Sequence, residues 1–401
     1  MLHIKPRVSL LSLLTAFLLT ATGQVLAQDA IRFGAPLPLT GPLAPEALKQ
    51  QEGYNLWAET VNAAGGIDVG GKKLPVEIVY TDYQSKTPRA VQAAEKLITQ
   101  EKVNFLFAPF GSGATKAASF VSEKYGVPTI AATASSSQVY DQGYKYLFGT
   151  FTPNETLTDP LSKLAVQKDA SIKRVAILAR NDLFPLAIAK EMEKSAKAQK
   201  LDVVLFEKYA INTMDHSSAL AQIKAAKPDW IMATGYVNDL ILLRKQMGDQ
   251  RIAAKIVTMI AGPAYQEFID ATGAGAENVS SAAWWHPSAN YKGTDIFGTT
   301  ENYVKIFQAK HKRVPDYTQA SSSVAGALFQ MAIEKAGTLD RTKVRDALAA
   351  TDVTTFFGPV KFGSTGQINS LEPPVFQIQK GKIVVVHPES IKQGEFQLGL
   401  K

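Results

Sequence analysis

The chain of 401 residues contains no cysteine, which excludes disulfide bonds, thiolate metal sites and cysteine nucleophiles. It also excludes a lipid-modified cysteine behind a leader. The sequence also lacks any run of Lys or Arg interleaved with aromatic residues, the pattern that would indicate nucleic-acid binding. The formal net charge is a modest +7, and the content of 46% apolar and 20% charged residues is typical of a globular protein. At this length two domains are expected.

Long apolar runs are also missing, apart from residues 10–19, which follow Lys5 and Arg7. That run is far shorter than the roughly 20 residues that span a bilayer. Val25 and Ala27 then place small or aliphatic residues at the −3 and −1 positions of a cleavage site. We therefore expect a cleavable signal peptide over residues 1–27 and a protein free in the bacterial periplasm, not a lipoprotein. Losing Lys5 and Arg7 would lower the net charge to +5.

After the leader, short β-rich runs alternate with amphipathic helix patterns, such as the i, i+3, i+4 spacing of residues 89–100. Such alternation predicts parallel sheets with helices on both faces. The strand runs form two series, one before and one after residue 151. The sequence therefore predicts an α/β protein with two doubly wound, Rossmann-like lobes. The runs lie at 31–39, 74–82, 103–109 and 127–133, then at 173–179, 201–207, 229–235 and 255–260.

The stretch "FAPFGSGATKAASF", residues 107–120, leads from a strand run into a helix pattern through Ser112, which stands between two glycines. Lys116 breaks both the phosphate-loop and the dinucleotide-loop spacing, and the glycines stand too close to the serine for a nucleophile elbow. Two interpretations stay open. The loop, with the helix N-terminus behind it, binds a carboxylate, or Ser112 is the N-cap of a structural turn.

The next strand run, residues 127–133, ends in a hydroxyl-rich segment that includes Thr133 and Ser135. Because neighbouring parallel strands end at the same edge of a sheet, these hydroxyls and Ser112 are expected to face one crevice. The alternative is a serine-rich loop that caps the following helix.

A serine nucleophile would need a histidine base, and no histidine after the leader stands in a companion motif. We therefore predict no enzyme activity, no catalytic residue, no metal and no cofactor. The histidines in question are His216, His286, His311 and His387.

A resemblance to a known protein family extends over almost the whole chain after the leader. It is carried by residues 34–44 ("GAPLPLTGPLA"), 52–98, 107–120, 126–136 ("GVPTIAATASS") and 229–236 ("DWIMATGY"). Asn62, Gly65, Gly66 and Ile67 form the most specific part. In these segments the chain resembles the leucine/isoleucine/valine-type periplasmic solute-binding proteins of ABC transporters.

The resemblance implies a type I periplasmic binding protein fold, in which two lobes close on a ligand and are joined by a three-segment hinge. The crossovers would fall near Phe151, Ala283 and Thr351. Lobe 1 would then hold residues 28–151 and 283–351, and lobe 2 residues 152–282 and 352–401. A monomer and ABC permease subunits as membrane partners are also implied.

Carried over residue by residue, the family's carboxylate-binding serine falls on Ser112. The position that contacts the ligand through its backbone falls on Thr133, and the second hydroxyl falls on Ser135. From the other lobe, the resemblance implies that Phe184 and Tyr236 contact the ligand.

The chain departs from the family where amino-acid binders hold the ligand ammonium. An acid is expected just after strand run 255–260, but "MIAGPAY" contains none, and Asn154 stands where Asp is frequent. A buried ammonium without a carboxylate partner is costly. We therefore expect a small carboxylate ligand, with an aromatic or aliphatic acid favoured over a branched-chain or hydrophobic amino acid. Glu46 and Glu52 are the nearby acids that could still meet an amine or amide.

Aromatic residues also favour an apolar ligand, because Trp284 or Trp285 could join the two aromatic contacts of the second lobe, with core packing as the alternative. The predicted function is that of the substrate-binding protein of an ABC importer. The alternatives are a periplasmic ligand sensor of the same fold and, remotely, a secreted serine hydrolase.

Overall fold

The computed structural model describes residues 1–3 and 30–399. The cleavage site predicted after Ala27, and all but the first three residues of the predicted signal peptide, lie outside this part. Among the helices of the described part, none combines the length and the apolar character needed to cross a membrane.

Residues 31–149 form a five-stranded parallel sheet and a separate small hairpin. The strands of the sheet are β1 (Ile31–Leu37), β4 (Val76–Asp82), β5 (Phe105–Phe107), β6 (Thr129–Ala131) and β7 (Leu147–Gly149). The hairpin consists of β2 (Ile67–Val69) and β3 (Lys72–Leu74). The order in the sheet is β4-β1-β5-β6-β7, with all four pairings parallel.

The second sheet has seven strands and draws on both the middle and the end of the chain. The remaining strands are β8 (Arg174–Arg180), β9 (Asp202–Tyr209), β10 (Trp230–Thr234), β11 (Ile256–Ile260), β12 (Val279–Ala282), β13 (Asp352–Thr355), β14 (Gly358–Lys361), β15 (Val375–Gln379) and β16 (Lys382–His387). The order is β16-β15-β12-β11-β10-β8-β9. The pairings of β15 with β12 and with β16 are antiparallel and the others are parallel, so β15 runs opposite to the other six strands. Strands such as β10 are buried along their whole length, as expected for a parallel sheet covered on both faces.

Helices cover the sheets. They are α1 (Ala44–Ala63), α2 (Thr87–Thr99), α3 (Ser112–Tyr125), α4 (Glu155–Lys168), α5 (Leu183–Ala198), α6 (Ser217–Ala226), α7 (Val237–Asp249), α8 (Gln266–Thr272), α9 (Thr300–His311), α10 (Tyr317–Ala336) and α11 (Arg341–Ala349). The two parallel-sheet units with helices between their strands confirm the predicted α/β class and two-lobe fold.

Helices α1 and α10 pack closely against each other on the first sheet. Gly326 of α10 lies against the ring of Trp57 in α1, and a Cβ atom at position 326 would approach that ring to 2.1 Å. Trp57 in turn meets Phe33 of β1 edge-on, with ring centroids 5.2 Å apart. This contact brings residues late in the chain into the core of the first lobe.

The chain between α11 and β15 follows the first sheet. Gly149 of β7 pairs with Gln367, and the Gln367 side-chain amide donates to the carbonyl oxygens of Ser135 (2.9 Å) and Phe151 (3.0 Å). These contacts favour a third crossover between Leu371 and Val375, later than the one predicted near Thr351. The predicted lobe boundaries otherwise stay predictions.

Candidate ligand-binding cleft

One small cavity lies where the two lobes face each other. It is bounded by the segments that follow the carboxyl ends of β5, β6, β8, β10 and β11, which is where parallel α/β sheets bind ligands. Its volume is about 20 Å³, enough for one water molecule but not for an amino acid. The lining residues are Glu46, Phe110, Gly111, Thr133, Phe151, Phe184, Tyr236, Ala261, Tyr265, Trp284, Tyr317 and Thr318.

Ser112 and Ser135 come together beside Gly111 and Thr133, but neither serine is among the residues that line the cavity, so their ligand contacts stay predictions. Both are fully buried, and Ser112 Oγ accepts the backbone N–H groups of Ser135 (3.2 Å) and Ser136 (3.3 Å). The hydroxyl oxygens of Ser135 and Ser136 have no hydrogen-bond partner among the described residues. The arrangement therefore collects hydroxyl groups whose hydrogen-bonding capacity is not used up within the protein, beside the N-terminus of α3, whose first N–H groups have no partner within the helix.

Ser112 is the first residue of α3, and the N-cap is Gly111, whose φ of +78° favours glycine. The interpretation of Ser112 as a structural N-cap is therefore wrong. The N–H of Gly111 donates to Thr133 Oγ1 at 3.1 Å, and Thr133 Oγ1 donates to Gln50 Oε1 at 3.3 Å. These bonds tie the loop after β5 to the segment after β6, as the pattern of strand ends predicted.

The aromatic residues predicted from the second lobe lie on the cavity wall. Phe184 stands in the first turn of α5, and Tyr236 directly precedes α7. Their ring centroids are 5.8 Å apart, and Phe110 approaches Tyr236 from the first lobe at 5.9 Å. Trp284 also lines the cavity, stacked on Phe151 at 4.0 Å. The cavity is thus apolar on most of its surface.

Other candidates from the sequence lie elsewhere. Asn154 precedes α4, is buried with its Oδ1 atom unpartnered, and is not on the cavity wall, so its ligand contact stays a prediction. Trp285 lines a neighbouring pocket. Glu52 binds Arg313 and Gln319 and is not among the cavity-lining residues. None of the histidines is among those residues either.

Glu46 is one of the two acids named from the sequence as candidate partners of an amine or amide. It lies near the start of α1, is 1% exposed, and lines the cavity. Its Oε1 accepts the backbone N–H of Val237 at 2.8 Å, which links the first lobe to the start of α7 in the second. Burial raises the pKa of Glu46 from 4.5 to about 7. Spacing on a helix gives no signal for such a contact, which arises only when the lobes meet.

A second inter-lobe contact lies near Glu46. Lys49 forms an ion pair with Glu267 of α8 (2.7 Å), in the second lobe, and another with Asp316 at the start of α10 (3.1 Å), on its own side. With the Glu46 contact, it holds the lobes closed over a cavity too small for an amino acid. A solute of amino-acid size fits between the lobes only if they lie farther apart than here.

A larger pocket of about 360 Å³ lies on the far side of Tyr317, which lines both spaces. Its wall includes the Lys49 ion pairs and Arg313. We assign the ligand site to the smaller cavity because Thr133, Phe184 and Tyr236 meet there.

Comparison with known proteins agrees with this architecture. A family model described as periplasmic binding protein matches residues 30–382. The chain is 28% identical to Leu/Ile/Val-binding protein homolog 7 of Brucella suis over 390 residues, which covers 94% of this chain and 96% of the relative.

Solved structures show the same fold. The branched-chain amino acid transporter substrate binding protein LivJ from Streptococcus pneumoniae, in complex with isoleucine, superposes with a TM-score of 0.79 at 25% identity, covering 90% of this chain and 100% of LivJ. The leucine binding protein LivK from Thermotoga maritima gives 0.80 at 19% identity, covering 89% and 97%. Such proteins bind solutes and are not enzymes, so the serine hydrolase alternative is set aside. The chain belongs to the periplasmic binding protein family, and it is similar to members of the branched-chain amino acid type.

Proposed function

We propose that this protein captures a small solute with a carboxylate and an apolar body, and delivers it to the permease of an ABC importer. The observation that carries the proposal is that Gly111 and Thr133 line a mostly aromatic cavity and lie within two residues of Ser112, at the N-terminus of α3, and of Ser135, whose hydroxyl has no partner among the described residues. A solute of this kind is also supported by the similarity to LivJ, a transporter substrate binding protein whose structure was solved in complex with isoleucine.

In the proposed complex, Ser112 and Ser135 donate hydrogen bonds to the carboxylate, helped by the N-terminus of α3. Hydrogen bonds to a charged group are the stronger kind. Thr133 holds the glycine loop through Gly111 and contacts the solute beside it. Such a clamp binds a carboxylate without any reaction.

Phe184 and Tyr236 close over the apolar body from the second lobe. Burial of apolar surface between the lobes then stabilises the closed form by roughly 25 cal/mol per Å². The closed form docks on the permease as a monomer in the periplasm. The role of a periplasmic sensor stays the alternative prediction, since it would use the same binding step.

A thermal-shift screen tests this function on the purified mature protein. The panel pairs acids with the amides of the same body, for example leucine with leucinamide and 3-phenylpropanoate with 3-phenylpropanamide. We expect acids to stabilise the protein and amides not to, because only the acid gives the serines a charged acceptor. A ligand at 100 times its Kd adds about 2.7 kcal/mol to the free energy of unfolding. Equal stabilisation by acids and amides, or none by any carboxylate, would contradict the proposal.

A further inference from the structure

The pocket on the far side of Tyr317 is a second space between the lobes, and it is large enough for a small organic molecule. Its volume of about 360 Å³ lies within the range of known ligand pockets. Residues 264–267, after β11, and the β15–β16 hairpin bound it on the side of the second sheet, and residues 313–317 bound it on the side of α10. Residues 283–287, which follow β12, complete the wall. We call this space the crossover pocket, because a predicted crossover lies at Ala283.

Two ring N–H groups on the wall of the crossover pocket have no acceptor in the described chain. Trp285 is 3% exposed, and its Nε1, which can only donate, is buried without a partner. His286 accepts the backbone N–H of Ser288 through Nδ1 at 3.2 Å, so the proton of the neutral ring is on Nε2, which forms no bond within the described residues. Burial lowers the pKa of His286 to about 4, which keeps the ring neutral near pH 7.

A buried donor without an acceptor is costly, and native proteins keep such groups rare. A buried tryptophan N–H in particular usually has an acceptor. Trp285 lines a pocket that can hold a molecule, so a bound ligand is a direct source of the missing acceptor.

The charges on the same wall leave one cation unpaired. Both acids of the wall are engaged by Lys49, and Arg313 is engaged by Glu52, which lies outside the pocket. Lys382 of β16 also lines the pocket and forms no ion pair within the described part of the chain. The pocket therefore has surplus positive charge and unused donors, which together favour an anion.

The remainder of the wall is mostly apolar. It includes Val314, Pro315, Phe376 and Ile383. Val314 is 49% exposed, which is unusual for a large apolar side chain, and a ligand that covered it would remove this surface from water. The matching ligand is therefore an anion that carries an apolar body.

We propose that the crossover pocket is a second binding site of this protein, and that it takes a small organic anion with an apolar body. The anion accepts a hydrogen bond from Trp285 Nε1, while His286 and Lys382 supply a second donor and a positive charge on the same wall. This inference goes beyond the proposed function, because the site uses neither the serine clamp nor the cavity in front of Tyr317.

The test uses 2-naphthoate, whose rigid apolar body carries one carboxylate, and 2-naphthamide, which has the same body without the charge. In calorimetric titration of the mature protein, we expect the amide to bind at least about 10-fold more weakly than the acid. Trp285→Phe keeps an aromatic ring but removes the donor, and it should weaken naphthoate binding by roughly 10- to 100-fold.

Lys382→Gln should weaken naphthoate binding by about 3- to 5-fold, because an exposed charge contributes less than a buried one. Lys380→Gln is the matched control, since Lys380 lies in the same hairpin and is exposed but is not among the residues that line the pocket. It should leave the affinity unchanged. Both lysines are exposed, so this pair decides even if Trp285→Phe does not fold.

The indole N–H signals in a ¹H–¹⁵N correlation spectrum show where the probe binds. The Trp285 signal is identified by its loss in Trp285→Phe, and 2-naphthoate should move it. The signals of Trp57 and Trp230, which lie in the cores of the lobes, should stay in place.

Several results would overturn the inference: no binding of 2-naphthoate, equal binding of the amide, or equal affinities of Lys382→Gln and Lys380→Gln. Movement of the Trp284 signal without the Trp285 signal would do the same, because it would place the probe in the cleft cavity. In each case the serine clamp stands or fails by its own test with leucine and leucinamide.

Discussion

With both Ser112 and Ser135 changed to alanine, carboxylate binding is expected to weaken by at least about 100-fold, since each hydrogen bond to a charged group contributes about 1.5–3 kcal/mol. Calorimetric titration of the mature protein measures the change. Ser137→Ala is the matched control, because Ser137 lies in the same loop but is exposed. Affinity of the double variant within about threefold of the unsubstituted protein would contradict the clamp.

The single variants separate binding from stability. Ser112 Oγ accepts two backbone N–H groups, so Ser112→Ala should also lower the free energy of unfolding by about 1–3 kcal/mol. Ser135 Oγ has no partner in the described chain, so Ser135→Ala should weaken binding with little change in melting temperature. A large loss of stability in Ser135→Ala would mean that its hydroxyl serves the fold instead.

Gly326→Val is expected to destabilise the first lobe by about 3 kcal/mol or more, at the upper end of the cost of overpacking a core. A Cβ atom there would lie 2.1 Å from Trp57 Cδ2, and Trp57 cannot withdraw because it is fully buried against Phe33. Thermal or urea unfolding measures the loss.

Gly248→Ala is the control for this variant. Gly248 lies in α7, and a Cβ atom added there would meet nothing within 4 Å, so alanine should leave stability unchanged or raise it by up to about 1 kcal/mol. If Gly326→Val had the same melting temperature as the unsubstituted protein, α1 and α10 would pack less closely than the contact of Gly326 with Trp57 implies.

Much of the site could be predicted because it depends on strand order. The loop after β5 and the segment after β6 follow neighbouring parallel strands, so Ser112, Thr133 and Ser135 had to end near each other. Phe184 and Tyr236 were indicated by the family resemblance and not by strand order, and the structure puts both on the cavity wall.

The sequence named Glu46 only as an acid that could meet an amine or amide, and strand order gave no indication of its inter-lobe contact. Its contact with Val237 joins residues 191 positions apart, in different lobes, and depends on how far the lobes close. On a helix pattern it resembles any acid in a first turn, where the helix dipole favours negative charge. Tyr265 and Tyr317 were missed for a related reason, because their rings meet only where α8 and α10 approach each other.

The position of Trp284 in the cavity wall should let its intrinsic fluorescence report ligand binding. Trp284 is buried in the cavity wall, and its Nε1 donates to the carbonyl oxygen of Thr152 at 3.0 Å, beside the predicted crossover at Phe151. Of the other three tryptophans, Trp57 and Trp230 lie in the cores of the two lobes and Trp285 lines the neighbouring pocket. The emission of Trp57 and Trp230 is therefore expected to stay constant on binding. Solute entry and lobe closure both change the surroundings of Trp284, so the emission spectrum should follow binding in real time without an added dye.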